Sequence, residues 1–202
     1  ILPTQTFIAT GLPILYIGAK PVFADVDINT GNISPSSIKK LITKKTKAII
    51  VVHWGGYPCE LDEIKTIIKK YNIKLIEDAA HCFGGIYKNK KIGSISDFTC
   101  FSFQGIKHLT SGDGGLVCCK KKGDELFLKK IRWFGFDRKL KKNVLGLRPD
   151  EVNMIGYKYH LNNYAAALGL ANMKNIRQLI KHHVMIGNYY TKKLKNIPGL
   201  QL

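Results

Sequence analysis

The sequence predicts an α/β fold: a mostly parallel central sheet flanked by helices. Three stretches carry that prediction. Ala48-Ile-Ile-Val-Val-His53 is a continuous β-branched run, the composition of a strand covered on both faces, as parallel strands usually are. Leu61 to Tyr71 repeats apolar residues at Leu61, Ile64, Ile67 and Ile68, which is a helical period. Ile73-Lys-Leu-Ile-Glu-Asp78 is a second strand, so the three together have the lengths of a βαβ unit. Ligands of such sheets gather at the carboxyl ends of the strands, where His53 and Asp78 stand.

The remaining elements follow in order. Thr6-Phe-Ile-Ala-Thr10 and Gly11-Leu-Pro-Ile-Leu-Tyr-Ile-Gly18 read as a loop entering a short helix that stops at Gly18. Pro21-Val-Phe-Ala-Asp-Val-Asp27 alternates as a strand does. Ser34-Pro35 opens a helix over Pro35 to Lys44, because proline is favoured at the first helical position. Past the βαβ unit, Phe98 to Phe103 and Gly115-Leu-Val-Cys-Cys119 are strands on either side of a segment rich in Gly, Ser and Thr. Gly123 to Phe134 is a helix with Asp124 and Glu125 in its first turn, where the dipole favours them. Lys139 to Glu151 is a polar loop, Asn162 to Lys181 a helix with a close-packing Ala165-Ala-Ala-Leu-Gly169 run, and His183 to Leu194 a last helix.

At 202 residues and 45% hydrophobic content the chain can bury an ordinary core. Its net charge of +18 would suit a nucleic-acid binder, but no nucleic-acid motif stands at its required spacing and the lysines are spread over helix faces and turns. The charge therefore reads as solvated surface, with a non-catalytic basic binding protein as the alternative. Cys59, Cys82, Cys100, Cys118 and Cys119 are odd in number, lack a Cys-x-x-Cys pair and sit in apolar runs, which reads as reduced thiols of a cytoplasmic protein. No apolar segment approaches membrane-spanning length. The opening residue is Ile1 and both ends read as cut through elements, so a piece of a longer protein is expected.

The chemistry centres on Cys100-Phe-Ser-Phe-Gln-Gly-Ile-Lys-His-Leu-Thr-Ser-Gly-Asp-Gly-Gly115, where a strand delivers Lys107 into a Gly-rich segment. A second cluster, Glu77-Asp78-Ala79-Ala80-His81, puts a carboxylate at a strand end with an imidazole three positions on. A zinc site would need further ligands; His53 is available, but no supporting Cys or carboxylate cluster accompanies it, so no metal is expected. Pyridoxal phosphate fits better. It needs a lysine for its aldehyde, a carboxylate for its pyridinium nitrogen and donors for its phosphate, which Lys107, Asp78 and Ser102 can supply.

These motifs, with Gly93-Ser-Ile-Ser-Asp97, His53-Trp-Gly-Gly-Tyr-Pro58 and Gly156-Tyr-Lys-Tyr-His-Leu-Asn162 in the same order, resemble the DegT/DnrJ/EryC1/StrS family. The resemblance covers essentially the whole chain. It implies the large domain of the aspartate-aminotransferase fold (fold type I) over residues 1–181, with its N-terminal part missing. Residues 182–202 would begin the helix leading to a small C-terminal domain. It further implies transfer of an amino group from an amino acid, expected to be glutamate, to a nucleotide-linked keto sugar, in a homodimer with shared active sites. By the same resemblance Lys107 matches the Schiff-base lysine, Asp78 the carboxylate facing the ring nitrogen and Ser102 the phosphate-holding serine. His81 falls near the cofactor hydroxyl, and Phe7 where an aromatic residue stacks on the ring. One departure stands out: the family's Asn-Tyr-Arg, whose Asn reaches the partner subunit's cofactor phosphate, reads Lys158-Tyr159-His160, so Lys158 would take that task. A dehydratase of the same fold is the nearest rival; relatives of that kind carry His in place of the lysine, and His108 adjoins Lys107.

Overall fold

The computed structural model describes residues 1–137 and 154–200. The predicted polar loop from Lys139 to Glu151 lies outside the described residues. The centre is a four-stranded sheet of β3 (Ala48–Val52), β4 (Lys74–Asp78), β7 (Phe98–Ser102) and β8 (Gly115–Cys119), in that spatial order. β3, β4 and β7 run parallel, and β8 returns antiparallel along β7 as an edge. Two short strands, β1 (Leu2–Pro3) and β2 (Phe23–Ala24), pair in parallel. Ile1 carries them alongside β3: its amino group donates to the Ala48 carbonyl and its carbonyl accepts the Ile50 N–H, the pattern of a parallel neighbour. A small antiparallel pair, β5 (Ile86–Tyr87) and β6 (Lys90–Lys91), completes the strands. The predicted α/β, mostly parallel architecture is the one observed.

Helices α2 (Pro35–Leu41) and α3 (Leu61–Ile68) bring Ile38, Leu61, Ile64 and Ile68 against Ile49, Val51 and Leu75 of the sheet, forming the apolar core. Ser34 caps α2 by accepting the Ser37 N–H, with Pro35 at the first helical position. β3 is less symmetric than its composition predicts. Ile49, Val51 and Val52 are buried but Ala48 and Ile50 only partly so, because the core helices press on one face of the sheet.

The other differences lie at element boundaries. Helix α1 (Ile8–Tyr16) begins before Gly11, taking in Thr10. It stops where predicted, at Gly18 (φ 70°): the Gly18 and Ala19 N–H groups donate back to Leu15 and Ile14, a pairing that a residue without Cβ accommodates. Of Pro21–Asp27 only Phe23 and Ala24 pair as a strand. After α4 (Lys122–Ile131), Trp133 bridges to Lys158, so the predicted turns up to Phe134 do not form. The predicted helix from Asn162 to Lys181 is two, α5 (Asn163–Met173) and α6 (Ile176–Leu194), and α6 runs without a break past position 181. The cause is local. Lys174 and Asn175 close onto Ala171 and Asn172 three residues back, while the Asn172 side chain is drawn away to the Thr110 carbonyl.

Candidate active site

Strand period decides which side chains meet. Asp78 is in register with Cys100, so these two and Ser102, two positions on, project from one face of the sheet at the carboxyl ends of β4 and β7. Glu77, Thr99 and Phe101 project from the other face and are buried. On the open face Asp78 is met by α1, where the Thr10 hydroxyl donates to Asp78 Oδ2 at 2.7 Å and accepts a 2.7 Å bond from the Thr6 hydroxyl. Asp78 Oδ1 accepts the Ala80 N–H at 3.2 Å. Burial, and then the Asp78 charge, push the Cys100 thiol up to about 11, so it stands there as an inert thiol.

On the buried face Glu77 ties three strands together. His53 Nδ1 accepts the Cys59 N–H at 3.1 Å, which leaves Nε2 to donate to Glu77 Oε2 at 2.8 Å. Glu77 Oε1 accepts from the Ser96 N–H at 3.2 Å and the Thr99 hydroxyl at 3.0 Å. Burial alone would raise the Glu77 pKa, but these hydrogen bonds outweigh it and hold the carboxyl below its ordinary value. His53, weighed above as a metal ligand, is thus fully buried and engaged with Glu77 and Cys59. Among the described residues no group of three His, Cys, Asp or Glu side chains is placed to hold a metal ion.

Lys107 lies half-buried on the irregular connection between β7 and β8, its N–H closing a turn onto the Gln104 carbonyl at 2.9 Å. His81 lies within electrostatic reach of both the lysine and Asp78. Its proton affinity is lowered first by burial and then by the Lys107 charge, and is raised in turn by Asp78. The His81 ring stands edge-on to Trp54 at 5.8 Å. Ser102 Oγ accepts the Gln104 N–H at 3.3 Å, which leaves its own proton to donate to a ligand. The Gly112-Asp-Gly-Gly115 turn closes on itself: Asp113 accepts the Gly114 N–H, and Ser111 donates to the Asp113 carbonyl. At Gly114 (φ 127°) a Cβ would lie 2.7 Å from Leu161, so only glycine fits the turn.

The structure thus brings Asp78, His81 and Lys107 together with Ser102 at the neighbouring strand end. Phe7 sits at the N-terminal cap of α1, one turn from Thr10, with its ring 74% exposed. Lys158 is exposed in its bridge to Trp133, and among the described residues no hydrogen bond or ion pair joins it to the other five. Sequence reasoning missed Thr10 as a partner of Asp78; its signal was a second hydroxyl four residues after Thr6 at a helix start. It also missed the bond between Glu77 and His53, whose side chains stand 24 positions apart. The set on the open face suits pyridoxal phosphate: a carboxylate fixed by a hydroxyl, a lysine, an imidazole, a hydroxyl with its proton free and an uncovered aromatic ring.

Similarity to known proteins agrees. The chain is 35% identical over 207 residues to the GDP-perosamine synthase of Escherichia coli O157:H7, covering 98% of this chain and 52% of that protein. It is 37% identical over 200 residues to the spore coat polysaccharide biosynthesis protein SpsC of Bacillus subtilis strain 168, covering 96% and 51%. It superimposes on the sugar aminotransferase CalS13 of Micromonospora echinospora with a TM-score of 0.91 at 30% identity, over 98% of this chain and 55% of that one. The Escherichia coli GDP-4-keto-6-deoxy-D-mannose-3-dehydratase with bound hydrated PLP gives 0.88 at 29% identity, over 98% and 53%. The chain spans about half the length of the curated relatives it matches. With its pattern matched from residue 1 to residue 202, the chain belongs to the DegT/DnrJ/EryC1/StrS aminotransferase family.

Proposed function

We propose that this chain is the cofactor-binding part of a cytoplasmic pyridoxal-phosphate-dependent aminotransferase that moves an amino group from an amino acid, glutamate by preference, to a nucleotide-linked keto sugar. In this reading residues 1–181 belong to the large domain and 182–202 lead towards a small C-terminal one. The observation that carries the proposal is the placement of Asp78 and Ser102 on one face at the carboxyl ends of adjacent strands, with Asp78 fixed by Thr10 and Lys107 on the connection that follows.

When bound, pyridoxal phosphate supplies a carbonyl that takes up the amino group and a ring that accepts the electron pair left on the donor carbon. The chain's own residues do the rest. Asp78 would offer its charge to the ring nitrogen, with Oδ2 held by the Thr10 hydroxyl. Lys107 would hold the cofactor and, as a free amine, would move the proton at the donor's α-carbon. Ser102 would donate its hydroxyl proton to the phosphate, Phe7 would cover the ring, and His81 would serve the ring hydroxyl. In the longer protein that contains this chain, Lys107→Ala should abolish both transfer and the visible band of the bound cofactor. Surviving turnover would overturn the assignment.

The rival reading is a sugar dehydratase, favoured by the likeness to the Escherichia coli 3-dehydratase. Against it, the chain keeps a lysine, Lys107, where the dehydratases carry His, and the neighbouring His108 ring packs on α6 against His183. Incubation with a nucleotide keto sugar and glutamate separates the two: an amino sugar supports transamination, a deoxygenated keto sugar the rival. A purely basic binding protein would instead show salt-sensitive nucleic-acid binding and no cofactor band.

A further inference from the structure

The segment carrying Lys107 runs from Phe103 to Gly114 without regular structure and is fastened to two helices by side chains. Asn172 of α5 donates to the Thr110 carbonyl at 2.9 Å. His108, directly after the lysine, sets its ring perpendicular to His183 of α6, with centroids 5.2 Å and planes 85° apart. Nδ1 of His108 is buried and has no hydrogen-bond partner among the described residues. In place of a hydrogen bond at that nitrogen, the ring makes its edge-to-face contact with His183. Leu109, 2% exposed, already anchors the segment in the interior, so folding does not call for a second ring beside it.

Lys107 and His108 both lie within electrostatic reach of His81, and the His108 ring in addition packs against His183 of α6. Burial, followed by the charges of His183, His81 and Lys107, lowers the proton affinity of His108. We propose that His108, braced on His183, is a positioning residue for Lys107: the perpendicular ring pair fixes the turn so that the lysine projects towards Asp78 and His81. The inference rests on the reading of Lys107 given above.

The test uses the longer protein, freed of cofactor and then mixed with pyridoxal phosphate. His108→Ala and His183→Ala should each slow the appearance of the visible band and lower kcat about tenfold, as a small misplacement does, while KM for the amino donor is unchanged. The double variant should be no worse than the poorer single one, because both changes remove one contact. His108→Phe, which keeps an aromatic edge against His183, should restore most of the rate. Wild-type rates in both alanine variants, multiplying losses in the double variant, or a His108→Phe protein as slow as His108→Ala would each overturn the inference. Should His108→Ala fail to fold, His183→Ala and His108→Phe decide alone. A band that persists in Lys107→Ala would overturn the Lys107 reading itself, so the two failures are told apart.

Discussion

At the scale of single residues, Thr10 shows how much a hydroxyl missed in the sequence can matter. A carboxylate at a strand end is free to rotate, and Thr10 removes that freedom with a 2.7 Å bond to Oδ2. A hydrogen bond to a charged group contributes about 1.5–3 kcal/mol. Thr10→Val, which keeps the shape and loses the donor, should therefore weaken pyridoxal phosphate binding about tenfold, read by titrating the visible band, and lower the fold's melting temperature by several degrees. Lys107, Asp78 and Ser102 were legible because each stands at or just beyond the end of an apolar strand run. Thr10 was not, because its partner is 68 positions away.

At the scale of elements, the strands of the sheet were readable from β-branched runs, and α3 from its apolar spacing. What joins them was not. Glu77 connects β4 to His53 at the end of β3, to Thr99 on β7 and to the Ser96 N–H before it. Because Asp78 follows Glu77 on the strand, a brace on the buried face also steadies the open one. Glu77→Gln should cost about 3 kcal/mol, since breaking one side of a buried pair leaves polar groups uncompensated; the urea midpoint at constant slope measures this. The pH dependence has a defined sign. Folded Glu77 titrates below its ordinary value, so its contribution is complete above that value and is lost as pH falls through the depressed one. Glu77→Gln should therefore flatten the acid side of the stability profile. The junction of α5 and α6 escaped the sequence for the same reason as Thr10: the Asn172 side chain is captured by a carbonyl 62 positions away.

At the scale of the whole molecule, the chain presents apolar side chains to its surroundings, among them Tyr164, Leu168 and Leu170 of α5 and Tyr16 and Ile17 at the end of α1. In the homodimer that the family resemblance implies, such surfaces would meet a second copy, and Lys158 would reach the partner's cofactor phosphate. Mixing Lys107→Ala and Lys158→Ala subunits of the longer protein should then restore turnover that neither has alone, because one site of each mixed dimer regains both lysines. Failure to complement would mean each subunit builds its own site. Among the 32 Lys and Arg residues of the sequence, Lys107 is the one proposed to hold the cofactor. The most direct measurement is borohydride reduction of the cofactor-loaded longer protein followed by peptide mass mapping. A pyridoxyl adduct is expected on the peptide containing Lys107 and is lost in Lys107→Ala; an unmodified Lys107 in a protein that still shows the visible band would contradict this assignment.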